Sequence, residues 1–400
     1  MPWLRIVELD LRDLRDLPSP PFGGEAVYAI VGREDDLLGA CFVPALPDAE
    51  AVAAHLAEKL GDEWRERAVA AAVGDPDAWE PGARRVTGCP ATVAVCTADR
   101  LVSLRRCLTS LRPQLADDDE LLVVDNSTAG TAREVAEAFG ARWVCERRPG
   151  SSWARNRAID EARHELVAFI DDDCVADRQW LAAILEPFAD AGVDAVTGGV
   201  LGRRVDLEIP MLIDERYPFH RGWERQRYAG TTGTVDSPFD AWRAGTGASM
   251  AFRSSILGLT GGFDPALGAG TRPGGIDDLD LFRRLLAKGG TIAYQPEALV
   301  LHDHPETLRG LRRMLIRYAV CQGAQLAKIL VEERRGRRVA TRATVREWRD
   351  QLRWARREGL HLVLRRPRFP LIGLLAHPPA MAVGAIAFLR HRRALRRAVI

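Results

Sequence analysis

The sequence lacks several features that would place a protein in a specialised class at once. Its seven cysteines include no Cys-x-x-Cys pair, which argues against a disulfide framework or a structural zinc site and favours a reducing cytoplasm. Residues 1–17 are charged throughout and contain no apolar signal core, so secretion is not expected. A formal net charge of +1 over 400 residues argues against a chain built to coat nucleic acid, and no nucleic-acid partner is expected.

The basic charge that is present comes almost entirely from arginine and is concentrated near the C-terminus. Residues 331–400 hold 18 arginines against 5 acidic residues, so the rest of the chain is acidic. Residues 371–389 carry no formal charge, but Pro378 and Pro379 lie among them and would break a membrane span. Three readings stay open: peripheral contact with an anionic membrane surface, a helical hairpin packed on the body, or a membrane span. The expected location is the cytoplasm, with attachment to the inner face of the cell membrane as an extension of the first reading.

Hydrophobic periodicity divides the chain into three parts. Residues 1–88 combine strand-like apolar runs with a helical pattern over residues 50–72, and they predict a small N-terminal α+β accessory domain. Residues 89–330 alternate strands with helices. Residues 331–400 predict a basic helical tail that could associate with a membrane.

The central part contains short apolar strands rich in β-branched residues. This alternation predicts a mainly parallel sheet flanked by helices on both faces, with ligands bound beyond the carboxyl ends of the strands. Ser151 or Ser152 is expected to cap the helix after the third strand. The predicted strands are residues 92–96, 120–124, 142–144 and 165–170.

Acidic residues follow three of these strands. Asp99 comes after the first strand, Asp125 ends the second, and residues 171–173 are three adjacent aspartates after the fourth. A single aspartate after a strand is often only a turn former or helix cap. Three adjacent carboxylates at a half-buried strand end repel one another unless a cation offsets their charge. Because Mg²⁺ and Mn²⁺ prefer such oxygen ligands, the triplet predicts a divalent metal site.

The ordered motifs of this region resemble glycosyltransferase family 2, whose members have the GT-A fold, and in particular its actinobacterial-type members. The resemblance covers roughly residues 91–330. It implies a GT-A nucleotide-sugar-binding fold and metal-dependent, inverting transfer from a nucleoside diphosphate sugar to an acceptor hydroxyl. The acceptor would be a glycan, a lipid-linked intermediate or a small molecule, as in cell-envelope, polysaccharide, glycolipid or natural-product synthesis. The motifs are residues 93–97, 122–127, 149–156, 169–173, 261–264 with 277–281, and 300–302.

The family pattern also implies roles for individual residues. The metal, Mn²⁺ or Mg²⁺, would be held by Asp173, Asp171 and His302. The base would be Asp278 with Asp277 in support, and here an aspartate stands at 277 where the family usually has glutamate. The residues implied to hold the donor nucleotide are Thr97, Asp99, Arg100, Asp125, Asn126, Arg155, Asp171 and Asp172.

Other classes of protein fit the sequence less well. A nucleotidyltransferase would need a basic glycine-rich loop after the first strand, and a dinucleotide oxidoreductase would need G-x-G-x-x-G there. Residues 97–100, Thr-Ala-Asp-Arg, provide neither. The remaining alternative is a non-catalytic nucleotide-sugar-binding or scaffold protein, and the presence of Asp171, Asp173 and Asp278 together argues against it. Salt-dependent binding of nucleic acid by the basic tail alone also stays open.

Overall fold

A computed structural model describes most of the chain. The described residues are 5–10, 17–21, 27–33, 36–43, 45–60, 89–204, 207–216, 219–222, 224–229, 240–332 and 369–398.

The N-terminal part forms a small sheet with one helix. Strand β1 (Arg5–Asp10) runs parallel to β2 (Val27–Arg33), and β2 runs antiparallel to β3 (Asp36–Val43). Helix α1 (Ala49–Leu60) contacts β3 and buries the side chains of Val52 and Leu56, which are one turn apart. Residues 61–72 of the predicted helix lie outside the described residues.

The central part is an α/β unit built on a nine-stranded sheet, counted over the described residues. All four predicted strands are confirmed. Its elements are β4 (Ala91–Thr97), α2 (Leu101–Leu111), β5 (Glu120–Asp125), α3 (Arg133–Ala138), β6 (Arg142–Cys145), α4 (Ser151–Glu161), β7 (Leu166–Asp171), β8 (Cys174–Ala176), α5 (Trp180–Leu185), β9 (Ala195–Gly202), α6 (Glu208–Arg216), β10 (Gln226–Ala229), β11 (Ser249–Arg253), α7 (Ile256–Thr260), α8 (Asp277–Ala287) and β12 (Thr291–His302). Short 3₁₀ turns occupy Arg112–Gln114, Glu186–Ala189 and Asp240–Ala244.

The order of the strands brings the carboxyl ends of β4, β5 and β7 to one edge. The sheet reads β10-β12-β9-β11-β7-β4-β5-β6, with β8 paired to β12. Strands β7, β4, β5 and β6 are mutually parallel, whereas β11 is antiparallel to both neighbours. In the register of these pairs, Thr97 lies opposite Asp125 and Cys96 lies opposite Asp171. The acidic strand ends are therefore level with one another.

Side chains that alternate along the buried strands fill two cores, one on each face of the sheet. Val93 and Val95 of β4 pack with helices α2 and α5, where Trp180 is fully buried. Ala94 between them points to the other face and packs with α4 and α8. Period-2 alternation with apolar residues on both faces is the pattern of a parallel strand covered by helices on either side.

Helix α4 begins differently from the prediction. Its N-cap is Gly150 at φ 124°, a conformation that L side chains rarely adopt, and no side chain caps the helix. The expectation that Ser151 or Ser152 caps the helix is wrong. Both hydroxyls instead bond to Asp277, 3.2 Å and 2.9 Å away. They are used for a tertiary contact that sequence spacing does not reveal.

Two long helices complete the described chain, α9 (Leu308–Glu332) and α10 (Phe369–Ala398). Glycines let the two helices approach closely. A Cβ at Gly323 would collide with the backbone of Met381, and one at Gly384 with the backbone of Val320. Phe388 of α10 is fully buried in a cluster with loop residues ahead of α8. The structure thus shows a helical pair packed on the body. No helix in the described ranges combines the length and apolar character needed to cross a membrane.

The two prolines do not end α10. The helix continues through Pro378 and Pro379 for 19 more residues, to Ala398. Proline removes one N–H donor at each position, a local cost that packing elsewhere along the helix offsets.

Candidate active site

A cavity of about 800 Å³ lies beyond the carboxyl ends of β4 and β7. Strand ends form one side, the start of α8 forms another, and the first three turns of α9 form a third. Most of the predicted site residues share this cavity, which places residues from distant parts of the chain around one space. The predicted residues in its wall are Thr97, Arg100, Asn126, Arg155, Asp171, Asp172, Asp173, Asp277, Asp278 and His302.

Within the acidic triplet, Asp172 is held by the protein itself. It is 5% exposed, accepts a 2.6 Å hydrogen bond from the Thr97 hydroxyl, and accepts one of 3.1 Å from Arg100. Burial raises its pKa to about 6, although Thr97 and Arg100 act in the opposite direction. Arg100 also contacts Asp173 at 2.5 Å, so one guanidinium spans two of the three aspartates.

The third aspartate forms a corner with the end of β12. Ligand atoms of Asp173, His302 and Cys174 all lie within 4.8 Å of one another. Burial raises the pKa of the Cys174 thiol well above its ordinary value, so the thiol stays protonated and is a poor ligand for a hard cation. The oxygen of Asp173 and Nε2 of His302 are 3.4 Å apart and suit Mn²⁺ or Mg²⁺ better.

Behind His302 stands a hydrogen-bonded chain that the sequence did not reveal. Nδ1 of His302 is 3.1 Å from Nδ1 of His304, and Nε2 of His304 is 3.0 Å from Asp214. The second oxygen of Asp214 accepts the backbone N–H of Gly202 at 2.8 Å. When His304 donates to Asp214 and accepts from His302, the lone pair at Nε2 of His302 faces Asp173. His304 itself is 5% exposed and fully engaged, so it supports His302 rather than competing with it.

Arg155 joins the triplet to the acidic pair at the start of α8. Its guanidinium is 2.9 Å from Asp171 and 3.2 Å from Asp277, and the residue is 7% exposed. Burial alone would lower the pKa of Arg155, but the surrounding carboxylates raise it above its ordinary value, so Arg155 remains a cation. Burial raises the pKa of Asp171, and Arg155 opposes that rise. A buried arginine between two carboxylates fixes the spacing of the two acidic groups.

The two aspartates of the pair have different surroundings. Asp277 is 2% exposed, and its oxygens are occupied by Arg155 and by the two serine hydroxyls that begin α4. Asp278 is only partly buried, and the hydrogen bonds described for its oxygens come from the backbone N–H groups of Gly247 (2.6 Å) and Leu279 (2.8 Å). Burial and the neighbouring charge of Asp277 raise the pKa of Asp278 to about 6. Both aspartates line the cavity, but Asp278 is the more exposed of the two and is not held by Arg155 and the serine hydroxyls, which makes it the candidate to accept a proton.

Gly247 belongs to the site because it has no side chain. A Cβ at this position would lie 2.9 Å from Asp278 and 3.1 Å from Arg155. Its N–H holds Asp278, so the missing side chain is what permits the contact.

Two predicted donor-binding residues do not reach the cavity wall. Asp125 is fully buried, and its oxygens accept hydrogen bonds from two backbone N–H groups and from Trp143. Asp99 is exposed, has φ 58° and lies 3.5 Å from the hydroxyl of Thr131. Asn126 does line the cavity, but its amide holds the loop leading to Gly150. Asp125 and Asn126 thus hold the loops that follow the strands in place.

Comparison with known families agrees with this architecture. Residues 92–256 match the family described as Glycosyl transferase family 2. The resemblance inferred from the motifs is confirmed over residues 92–256, which match this family, and the mainly parallel α/β sheet agrees with the fold that the resemblance implies.

Similar proteins carry glycosyltransferase and polysaccharide-biosynthesis names. The chain is 29% identical over 226 residues to the pre-mycofactocin glycosyltransferase of Mycobacterium tuberculosis, a match covering 54% of this chain and 43% of that protein. It is 28% identical over 262 residues to the succinoglycan biosynthesis protein ExoM of Rhizobium meliloti, covering 62% and 77%. The chain thus spans less than half the length of the mycobacterial relative.

Solved structures with similar architecture are more distant in sequence. The mannosyltransferase PcManGT of Pyrobaculum calidifontis, in complex with GDP-Man and Mn²⁺, superimposes with a TM-score of 0.47 at 23% identity, covering 83% of this chain and 86% of that one. Glucosyl-3-phosphoglycerate synthase of Mycobacterium tuberculosis gives a TM-score of 0.41 at 20% identity, covering 61% and 78%.

Proposed function

We propose that this protein is a metal-dependent, inverting glycosyltransferase that moves a sugar from a nucleoside diphosphate sugar to an acceptor hydroxyl. The observation that carries the proposal is the arrangement around Arg155, which ties the acidic strand end to the start of α8 in one cavity. A donor site and a base are the two parts that such a reaction needs.

The donor would bind on the side of the acidic triplet. Asp173 and His302 are the residues that would hold Mn²⁺ or Mg²⁺. Asp171 lies close enough to both side chains to interact electrostatically with the bound ion. When bound, the ion would neutralise charge that develops on the departing nucleoside diphosphate. Thr97 and Arg100 order the strand end through Asp172, so the donor would meet a preorganised surface.

Asp278 would act as the base. Its carboxylate would take the proton of the acceptor hydroxyl while the hydroxyl oxygen forms a bond to the anomeric carbon. The bond from that carbon to the diphosphate breaks, and its electron pair leaves with the nucleoside diphosphate. Attack from the face opposite the leaving group inverts the anomeric configuration. A carboxylate with a raised pKa is a stronger base than an ordinary aspartate, which supports this assignment.

The alternative of a non-catalytic binding protein is disfavoured by Asp278. A protein that only bound a nucleotide sugar would have no use for a carboxylate that is held by two backbone N–H groups at the far side of the cavity.

The direct test is a thermal-shift series with UDP-, GDP- and dTDP-sugars, each with and without Mn²⁺ or Mg²⁺. A ligand at about 100 times its dissociation constant stabilises the folded state by roughly 2.7 kcal/mol. We expect a metal-dependent rise in melting temperature with one nucleotide, followed by release of that nucleoside diphosphate when an acceptor is supplied. A folded protein that responds to none of them contradicts the proposal.

Peripheral membrane attachment is part of the same proposal and is supported by the outer face of α10. Val383, Ile386 and Leu389 are 58%, 51% and 37% exposed on that face, and Arg390 and Arg393 follow them. Apolar side chains beside arginines suit the interface of an anionic membrane. Co-sedimentation with phosphatidylglycerol vesicles, but not with phosphatidylcholine vesicles, is the expected result, and a Val383→Ser/Ile386→Ser variant should lose it.

A further inference from the structure

The third side of the cavity, formed by α9, carries two arginines. Arg313 and Arg317 line the cavity, four residues apart on one face of the helix. Within the part of the chain that the structure describes, neither guanidinium has a carboxylate within 4.0 Å. Both side chains are exposed to the cavity and the solvent.

The other arginines of the wall differ in this respect. Arg100 pairs with Asp172 and Asp173, and Arg155 pairs with Asp171 and Asp277. Their charges are used to hold the acidic strand end and the start of α8.

The wall's remaining carboxylate near β12 is also matched. Asp303 pairs with Arg106 and with Arg203, so its charge is already balanced by two cations. Among the described residues of its wall, the cavity therefore has two cations without a carboxylate partner, both on α9. Uncompensated guanidinium groups in a partly enclosed space favour an anionic ligand, and their planar fork suits phosphate and carboxylate oxygens.

The position of α9 decides which ligand these arginines face. The helix begins six residues after His302 and runs toward the loop before α8, where the thiol of Cys321 donates a 3.1 Å hydrogen bond to the carbonyl of Gly274. A Cβ at Gly275, three residues before Asp278, would lie 3.7 Å from the sulfur of Cys321, so this part of α9 packs against the loop that leads to the proposed base. Arg317 is one turn away from Cys321. Arg317 therefore lines the cavity next to the loop that leads to Asp278, where the acceptor hydroxyl would be.

We propose that the acceptor carries an anionic group, a phosphate monoester or a carboxylate, near the hydroxyl that receives the sugar, and that Arg317 and Arg313 bind this group. The inference rests on the proposed function, because it takes Asp278 as the base. It makes charge a determinant of acceptor choice: a neutral analogue of the same shape would leave two cations unpaired and bind weakly.

The test uses the full chain with Mn²⁺ and the nucleoside diphosphate that binds in the donor series. Isothermal titration would compare glycerol 3-phosphate and glycerate with glycerol, which has the hydroxyls without the anion. The variant is Arg313→Gln/Arg317→Gln. The control is Arg309→Gln, an exposed arginine of the same helix that does not line the cavity.

We expect glycerol 3-phosphate or glycerate to bind wild type and the control, and to bind the double variant at least roughly tenfold more weakly. Affinity for the nucleoside diphosphate should be equal in all three proteins. Three results would overturn the inference: no anion, soluble or on a vesicle, that binds better than its neutral counterpart, anion binding unchanged in the double variant, or nucleotide affinity that falls together with anion affinity. The last result would assign the arginines to the donor. Absence of metal-dependent nucleotide binding in wild type would instead reject the proposed function.

A second arm distinguishes a soluble acceptor from a lipid-bound one. Phosphatidylcholine vesicles with and without phosphatidic acid present the same phosphate monoester on a membrane. Binding that requires phosphatidic acid and both arginines, without binding of the soluble anions, would support a lipid-borne acceptor. If no anion in either arm depends on the arginines, the inference is wrong.

Discussion

Two carboxylates near the start of α8 have opposite surroundings, although one residue separates them in sequence. Asp280 is fully buried, and its oxygens meet the cations of Lys328 and two arginines. Although burial alone would raise its pKa, Lys328 and these arginines lower the pKa of Asp280 to about 2. Asp278 has backbone partners, and burial with the charge of Asp277 raises its pKa to about 6. A buried carboxylate stays ionised where paired cations balance its charge. A carboxylate held only by backbone N–H groups has a raised pKa and can take up a proton.

The compensated carboxylate belongs to the framework of the fold. Lys328 of α9 is 3% exposed and contacts Asp264 at 2.5 Å as well as Asp280 at 2.8 Å. It links α9 to α8 and to the Gly-Gly-Phe-Asp motif that precedes it. The same helix that carries Arg313 and Arg317 into the cavity is thus held in place by a buried ion cluster on its other side.

The largest expected effect comes from removing the uncompensated carboxylate. Asp278→Asn keeps the shape and the Gly247 contact but cannot take a proton, so we expect transfer to slow by about 10²- to 10⁴-fold. Donor and metal affinity should stay within about twofold of wild type. Single-turnover transfer and nucleotide titration measure the two quantities, and near-normal turnover would place the base elsewhere.

The compensated carboxylate should respond in the opposite way. Lys328→Met removes the cation but keeps most of the volume, leaving Asp264 and Asp280 with less compensation, and should lower the free energy of unfolding by about 3 kcal/mol. Urea denaturation would measure this loss, with Arg309→Met as the surface control. Metal and nucleotide affinity should persist in the folded fraction. An unchanged unfolding free energy would mean that the cluster is not needed for stability.

A smaller effect is expected from the residues that orient His302, one of the two proposed metal ligands. Asp214→Asn weakens the acceptor that orients His304 and, through it, His302, so affinity for Mn²⁺ should fall by about tenfold. Electron paramagnetic resonance titration of Mn²⁺ gives the affinity directly. Histidine NMR should show a changed tautomer population, which a purely structural role for Asp214 would not produce.

The dependence on pH should sharpen the contrast between the two acids. With Asp278 as the proposed base, we expect the transfer rate to rise as pH increases through about 6 and to level off above it. Because the folded-state pKa of Asp278 is raised, its contribution to stability is present at low pH and is lost as pH rises through about 6. For Asp280 the folded pKa is lowered, so its contribution is present above about pH 4 and is lost as pH falls toward 2. Asp278→Asn should remove only the first of these changes, as pH-dependent unfolding would reveal.

Much of the fold was predictable because it follows local patterns. Apolar runs of period two and intervening helical runs predicted the strands at Ala91–Thr97 and Leu166–Asp171, and both are confirmed. The serine cap of α4 was wrong, and the prolines near the middle of α10 did not end that helix. In both places tertiary packing outweighed a local preference, of about 1 kcal/mol for the cap and about 3 kcal/mol for a proline inside a helix.

The site could be predicted in part for the same reason. Parallel strands deliver their carboxyl ends to one edge, so the grouping of residues 171–173 with Thr97 follows from strand order. Asp214, Gly247 and the α9 arginines were missed, because they belong to elements whose positions depend on long-range packing.

The sequence by itself determined the class of fold, the acidic strand ends and the family, since these are carried by strand periodicity and by motifs a few residues long. Tertiary structure alone decided how each charged group is used. It paired Arg155 with carboxylates from two segments, gave Asp278 backbone N–H partners, and placed Arg313 and Arg317 in the cavity wall. The reason is physical: the charge state and availability of a side chain depend on burial and on neighbours within a few ångströms, and such neighbours come from anywhere in the chain.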